Sequence, residues 1–172
     1  MKHARVLAIA AVCICTLVQA QRAPDNVLIF DGYGYSYQPC EPSIAVSPAN
    51  PRHMVAGSIL DRVHVSKDGG WTWNTETLTS KYGVYGDPCI VASPKKDFYY
   101  LHLSNPDGQA WSSEALLDRI VIQRAKKAGK RWNKGAGMGL NGSKDQDKEW
   151  AAVSTDGATL LTCWTQFDLY GS

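Results

Sequence analysis

Three short stretches place a carboxylate at the mouth of an apolar run. They are Glu41-Pro42 in EPSIAVSP, Asp87-Pro88 in DPCIVASP, and Asp147 with Glu149 ahead of WAAVST. Acids that recur at one place in a repeated unit are carried to one rim of the folded array. Such a rim could bind a cation, accept sugar hydroxyls, or supply a general acid/base pair. The same residues also suit a plainer task, because an acid before Pro fixes a turn leading into a strand. Glu41, Asp87 and Asp147 are the candidate catalytic residues, and Tyr82, Tyr85 and Glu149 the candidate ligand contacts. Tyr33, Tyr35 and Tyr37 flank the same openings. Aromatic rings there could stack on a sugar or close the core.

A second constellation is SKDGGWTW, where Ser66, Asp68, Gly70 and Trp73 are spaced as Ser-x-Asp-x-Gly-x-x-Trp. Calcium would need more oxygens than Ser66 and Asp68 supply. A tight turn needs what is there. Two glycines give backbone freedom, a carboxylate and a hydroxyl accept turn N–H groups, and an indole packs the corner. AKKAGKRW keeps Gly129 and Trp132 but has neither the Ser nor the Asp.

These residues sit on a repeat. Each strand-opening run is followed by a second apolar run: HMVAGSI from His53, FYYLHLS from Phe98, TLLTCWTQ from Thr159. LDRVHV from Leu60 then matches LDRIVI from Leu117, and both alternate polar with apolar residues. The runs are short, rich in β-branched and aromatic residues, and bounded by Pro, Gly, Asn and Asp, so they predict strands. The unit is strand, strand, strand, turn, strand, over about 50 to 60 residues. No helical period is sustained beyond the leader. SSEALLDR suffices for one turn.

Ser66-x-Asp68-x-Gly70-x-x-Trp73 resembles the Asp-box, or BNR repeat, of sialidase-like β-propellers, and EPSIAVSP and GDPCIVASP are similar to strand openings of secreted members. The resemblance covers roughly residues 38 to 168. It implies an all-β fold of four-stranded antiparallel blades, with the box joining the third and fourth strands of a blade, away from the ligand face. The expected layout is a lead-in over 21–40, blade one over 41–80, blade two over 87–135 and a half blade over 147–172. NVLIF (residues 26 to 30) is read as an outer strand for a last blade. About two and a half blades form an open arc, so the remainder of the propeller is expected from C-terminal sequence.

The resemblance implies a glycan or glycoconjugate partner and, for an enzyme, paired carboxylates acting on an oxocarbenium-like transition state. Sialidases grip a sugar carboxylate with an arginine cluster. Arg62 and Arg119 fall on third strands, away from the axis, where a structural or solvated role is expected. The family's Arg-Ile-Pro stretch is missing, since the region reads YQPCEPSIAV, and the Tyr/Glu pair belongs later in the chain. The alternative is a non-catalytic module binding protein or peptide partners, as sortilin-type Asp-box propellers do.

Residues 1–20 have a basic head, an apolar run and small residues before a cut, the pattern of a secretory signal peptide. The protein is thus expected to be secreted, extracellular or periplasmic, with no membrane span. Without the leader's Lys2 and Arg5, 16 basic residues face 16 acidic ones. That balance excludes a dedicated nucleic-acid or anionic-membrane binder. Cys40, Cys89 and Cys163 remain, an odd number that leaves at least one thiol unpaired within the chain. No Cys/His spacing suggests zinc, and no cofactor is expected. Asp145-x-Asp147-x-Glu149 opens like a calcium loop, but Trp150 stands where Gly is required. That leaves only a looser calcium site near those three acids. Gly137-x-Gly139-x-x-Gly142 fits a dinucleotide fingerprint with no helix to follow it. Lys126, Lys127, Lys130, Arg131 and Lys134 read as a wet hairpin tip. His53, His64 and His102 share no ligand spacing and are expected to be ordinary hydrogen-bonded histidines.

Overall fold

A computed structural model describes residues 26–126 and 129–168. The signal-peptide reading falls outside them. Among the described residues there is no α-helix, and the fold is all-β. No described helix is long and apolar enough to cross a membrane.

The strands follow the repeat. β1 (Ser43–Val46), β2 (Met54–Ser58), β3 (Arg62–Ser66) and β4 (Asn74–Thr77) form one antiparallel meander in that spatial order. β5 (Cys89–Ala92), β6 (Phe98–Leu103) and β7 (Ile120–Lys126) repeat it. Here the fourth position is split between β8 (Arg131–Trp132) and β9 (Ala136–Met138), both on the same edge of β7. Asn133 makes the break. Its side-chain oxygen accepts from the Arg124 and Gly135 amides at 3.0 and 3.2 Å. The glycine-rich GAGMG stretch is therefore a strand with its flanking turns. β10 (Asp145–Val153) and β11 (Leu160–Phe167) form a two-stranded ribbon, and none of the sheets closes on itself.

β6 shows why the middle sheet reads as a continuous apolar run. A strand covered on both faces needs apolar residues on both. Phe98 and Tyr100 point to the first sheet, packing with Val55, Val63, Leu78 and Ile90. Leu101 and Leu103 point the other way, packing with Cys89, Ile120 and Ala151 and with half-buried Leu160 and Trp164. The middle sheet thus lies between its neighbours. The first strands of the three units, β1, β5 and β10, run beside one another. The Ile90 amide donates to Ser43 Oγ at 2.9 Å across the first pair. At the two ends of the array, Ile44 and Val46 of β1 and Trp150 and Leu161 of the ribbon are exposed.

NVLIF, read as an outer strand for a last blade, forms no ladder with the described strands. Its Phe30 packs on His64 and Tyr35, with ring centroids 5.5 and 5.1 Å away. The segment covers the first sheet by side-chain packing without extending a ladder.

SKDGGWTW forms the turn between β3 and β4, as its composition requires. Ser66 Oγ donates to Asp68 Oδ1 at 2.8 Å and accepts from the Gly70 amide at 2.9 Å. Asp68 accepts from the Thr72 amide (3.0 Å) and hydroxyl (2.6 Å). These bonds, those from Thr72 first, hold the Asp68 carboxyl down at about 2. Gly69 and Gly70 take φ of 85° and 92°, and Trp73 Nε1 donates to the Gly70 carbonyl at 2.9 Å. Gly129 and Trp132 occupy the equivalent corner between β7 and β8, with φ of 76° at Gly129. Trp132 lies edge-on to Tyr100 at 5.7 Å, between the sheets. Trp73 is only half-buried and lines a groove with Gly129 and Lys130.

Candidate functional site

Each repeat carries the same unusual backbone at or near the opening of its first strand. Glu41, Asp87 and Lys148 have φ of 50°, 48° and 48°. The left-handed region costs an L-residue about 1 kcal/mol or more, and short polar side chains bear it best. In the first two units a Pro follows and sets the strand's start. In the third, the left-handed residue is Lys148, one place after the Asp147 that the sequence suggested. A register shift in the β10–β11 ladder between Asp147 and Trp150 accommodates it.

The ladder around these openings brings the acids together. The Gly86 amide donates to Leu60 at 2.8 Å, and the Leu103 amide donates back to Gly86 at 3.2 Å. The Tyr85 amide donates to Leu103 at 3.1 Å, so the Tyr85–Asp87 segment is held to both sheets. Glu41, Asp87, Asp147 and Tyr85 all line one cleft of about 330 Å³, with Leu60, Leu103, Leu117 and Trp111. Three of the strand-opening acids therefore share one cleft.

Trp111 is the wall that sequence reasoning missed. It lies in a short 3-10 turn (Ala110–Ser112) within the long β6–β7 connection. Asp107 and Asn105 side chains accept the Gln109 and Ala110 amides at 3.0 and 3.1 Å and fix that turn. Trp111 is 67% exposed and stands edge-on to Tyr85 at 6.2 Å. A lone Trp in an irregular loop carries no periodic signal.

The other aromatic candidates divide. Tyr37 lies close enough to Tyr85 to push its phenol up, after burial, the larger cause. Tyr82 does not line this cleft and sits under Lys81 and Arg119, at 4.6 and 4.7 Å. Tyr35 is covered by the Arg62 guanidinium at 4.1 Å. Arg62 is also paired with Asp61 and Thr77, both at 2.6 Å, and Arg119 with Asp118. Neither arginine lines the cleft.

The cleft is electrostatically crowded. Glu41 and Asp87 carboxyls lie within hydrogen-bonding reach of each other. That contact, then burial, raises Glu41 above the usual carboxylate range. The negative charge so close to it disfavours the ionised form of Glu41. Lys148 Nζ stands 3.4 Å from Asp87. Burial pulls its ammonium down, but Asp87 and Glu41 outweigh that and push it up. Beside them is Glu149, 2% exposed, with both carboxyl oxygens buried and without a hydrogen-bond partner. Its own amide is an electrostatic contact outside hydrogen-bonding geometry. Burial, then the charges of Asp87 and Asp147, push it up to about 8.

No family model matches the chain, and no curated protein matches it. The site therefore rests on its own geometry.

Asp145 is buried and lines a neighbouring cleft with Trp111, Ser113 and Glu114. Among the described residues no group of three or more His, Cys, Asp or Glu is arranged to hold a metal ion. Cys40, Cys89 and Cys163 are all free thiols, and burial pushes Cys89 up to about 11. Both fully engaged histidines are structural. His64 bonds Thr75 at 2.8 Å and Ser58 at 3.1 Å, while His102 bonds the Leu103 carbonyl at 2.7 Å and Gln123 at 3.2 Å.

Proposed function

We propose that this chain is a secreted, sialidase-like Asp-box propeller portion that engages glycans at the strand-opening cleft. Support for the propeller part comes from like-ordered repeats, first strands side by side, and matching Gly-x-x-Trp corners. The Asp-box spacing and the leader-like residues 1–20 support the rest.

One observation carries the glycan reading: Glu41, Asp87 and Asp147 share a single cleft with Tyr85 and exposed Trp111. Carboxylates accept sugar hydroxyls, and an open indole beside them offers a face for the apolar side of a pyranose. Binding is favoured over hydrolysis, because the Arg-Ile-Pro stretch is missing and neither Arg62 nor Arg119 lines the cleft.

The test is a calorimetric titration of the whole chain with a panel of oligosaccharides. Trp111→Ala should weaken the best ligand about tenfold, the worth of one stacking contact. Asp87→Asn should weaken it too. Failure of every glycan to bind, while a peptide library yields a ligand sensitive to Trp111→Ala, would replace this reading with the peptide-binding one. Turnover of fluorogenic glycosides that Asp87→Asn abolishes would restore hydrolysis.

A further inference from the structure

Backbone strain gathers at one place. Among the described residues, six besides glycine take a left-handed φ: Glu41, Asp87, Lys96, Ala110, Leu117 and Lys148. Glu41, Asp87 and Leu117 line the strand-opening cleft. Ala110 and Lys148 each adjoin a residue that does, Trp111 and Asp147. Lys96 sits elsewhere, in the β5–β6 turn. Such conformations are costly and persist only where the surroundings over-determine them. A short polar side chain can ease the strain by bonding locally. Ala110 has only a methyl group, so its neighbours must hold it.

Those neighbours are Asn105, Asp107 and Ser113. Asn105 Oδ1 accepts from the Ala110 amide at 3.1 Å. Asp107 Oδ1 accepts from the Gln109 amide at 3.0 Å, and its other oxygen accepts from the Ser113 hydroxyl. The Ser113 amide donates back to the Ala110 carbonyl at 3.0 Å, so the bonds close around Trp111. The base of the loop is clamped as well. The Asn105 amide donates to the Tyr82 carbonyl at 2.9 Å. Gly83 leaves Asn105 no slack, since a Cβ there would meet the Asn105 carbonyl oxygen at 2.0 Å. With Trp111 67% exposed, burial fixes little of its orientation. The loop sets where the ring stands, edge-on to Tyr85.

We propose that Asp107 is a positioning residue for the cleft: through Ser113 and the left-handed Ala110 it presets the Trp111 ring as a wall that the ligand meets already formed. The identity of that ligand rests on the glycan reading above; the presetting of the ring does not. Asp107 does not line the cleft itself. It acts on affinity through Trp111, because a preset wall spares the ligand the cost of ordering the loop.

The experiment uses the whole chain labelled with 5-fluorotryptophan, with Trp111 assigned by the fluorine resonance lost in Trp111→Phe. In the wild type Trp111 should give one narrow resonance. Asp107→Ala should move or broaden it while the other tryptophan resonances stay in place. Asp107→Asn should keep it, because its amide can accept from Gln109 and donate to Ser113 Oγ. Ala110→Val should disturb it as Asp107→Ala does, since a β-branched residue resists a left-handed φ. Calorimetry with an oligosaccharide panel, cellotetraose, an N-acetylglucosamine tetramer and a sialylated trisaccharide among it, gives the second readout. For whichever sugar binds, Asp107→Ala should weaken affinity about five- to tenfold and Asp107→Asn less than about twofold. Asp107→Ala added to Trp111→Ala should weaken it no further, because the first residue acts through the second. A Trp111 resonance unmoved in Asp107→Ala, or losses that add in the double variant, overturns the proposal. If no sugar of the panel binds while the resonance responds as expected, the presetting of Trp111 stands and its use for a glycan falls.

Discussion

Asp68 is the residue whose chemistry is most visible and least catalytic. Its carboxylate is spent on the Thr72 amide and hydroxyl and on Ser66 Oγ, all within one turn. A general acid or base must keep a lone pair or proton for the substrate; Asp68 faces its own backbone. Asp68→Asn should lower the melting temperature while leaving ligand binding at the strand-opening cleft unchanged. The folded carboxyl titrates at about 2, below its ordinary 3.8. Its contribution is therefore present above pH 3.8 and lost as pH falls through about 2. The wild-type and Asp68→Asn melting curves should converge as that acid range is crossed. A loss of ligand binding at neutral pH in a folded Asp68→Asn protein would contradict the turn role. This part of the site was legible, because the turn's chemistry is written within eight consecutive residues. Trp111 and the Glu41–Asp87 contact were not, since each depends on bringing distant segments together.

At the scale of the element, the sheets approach closely, and one position governs how closely. Gly57 on β2 faces Tyr100 on β6. A Cβ added at Gly57 would meet the Tyr100 hydroxyl oxygen at 2.7 Å and the ring at 2.8 Å. That hydroxyl cannot simply swing away, because it is buried and donates to the Arg62 carbonyl at 3.1 Å. Gly57→Ala should therefore destabilise the protein by about 1 to 3 kcal/mol through overpacking, read as a shift in urea midpoint. The double variant with Tyr100→Phe should recover little, since the ring itself collides. Wild-type stability in Gly57→Ala would mean the sheets slide apart freely. Strand content was legible in the alternation of LDRVHV and in the β-branched runs. The split of the fourth strand into β8 and β9 was not, because GAGMG has the composition of a loop and becomes a strand only where β7 offers an edge. NVLIF, read as a strand for a last blade, is unpaired here. Its residues favour a strand, but Phe30 finds its burial on His64 without pairing.

The whole molecule adds these local charges into one pH profile. His64 and His102 are both held down at about 4, chiefly by burial. The unfolded chain takes up their protons below pH 6.5, so they cost stability as pH falls from there. Glu149 works in the other direction. Its carboxyl stays protonated to about 8 when folded but ionises near 4.5 when unfolded. Folding then takes up a proton between those values, and stability falls as pH rises, by up to about 1.4 kcal/mol per pH unit. Glu41, raised in the same sense, reinforces this. Between 4.5 and 6.5 histidines and acids oppose one another, and the profile should be shallow. Above 6.5 the histidines are neutral in both states, and Glu149 sets a decline that continues to near pH 8. Urea titrations across that range should show the decline in the wild type and its loss in Glu149→Gln, whose amide imitates the protonated acid. A decline that persists in Glu149→Gln would assign it to another group and leave the buried carboxyl ionised at neutral pH. The neutral-range stability profile is thus tied to one side chain, buried and without a hydrogen-bond partner for either carboxyl oxygen.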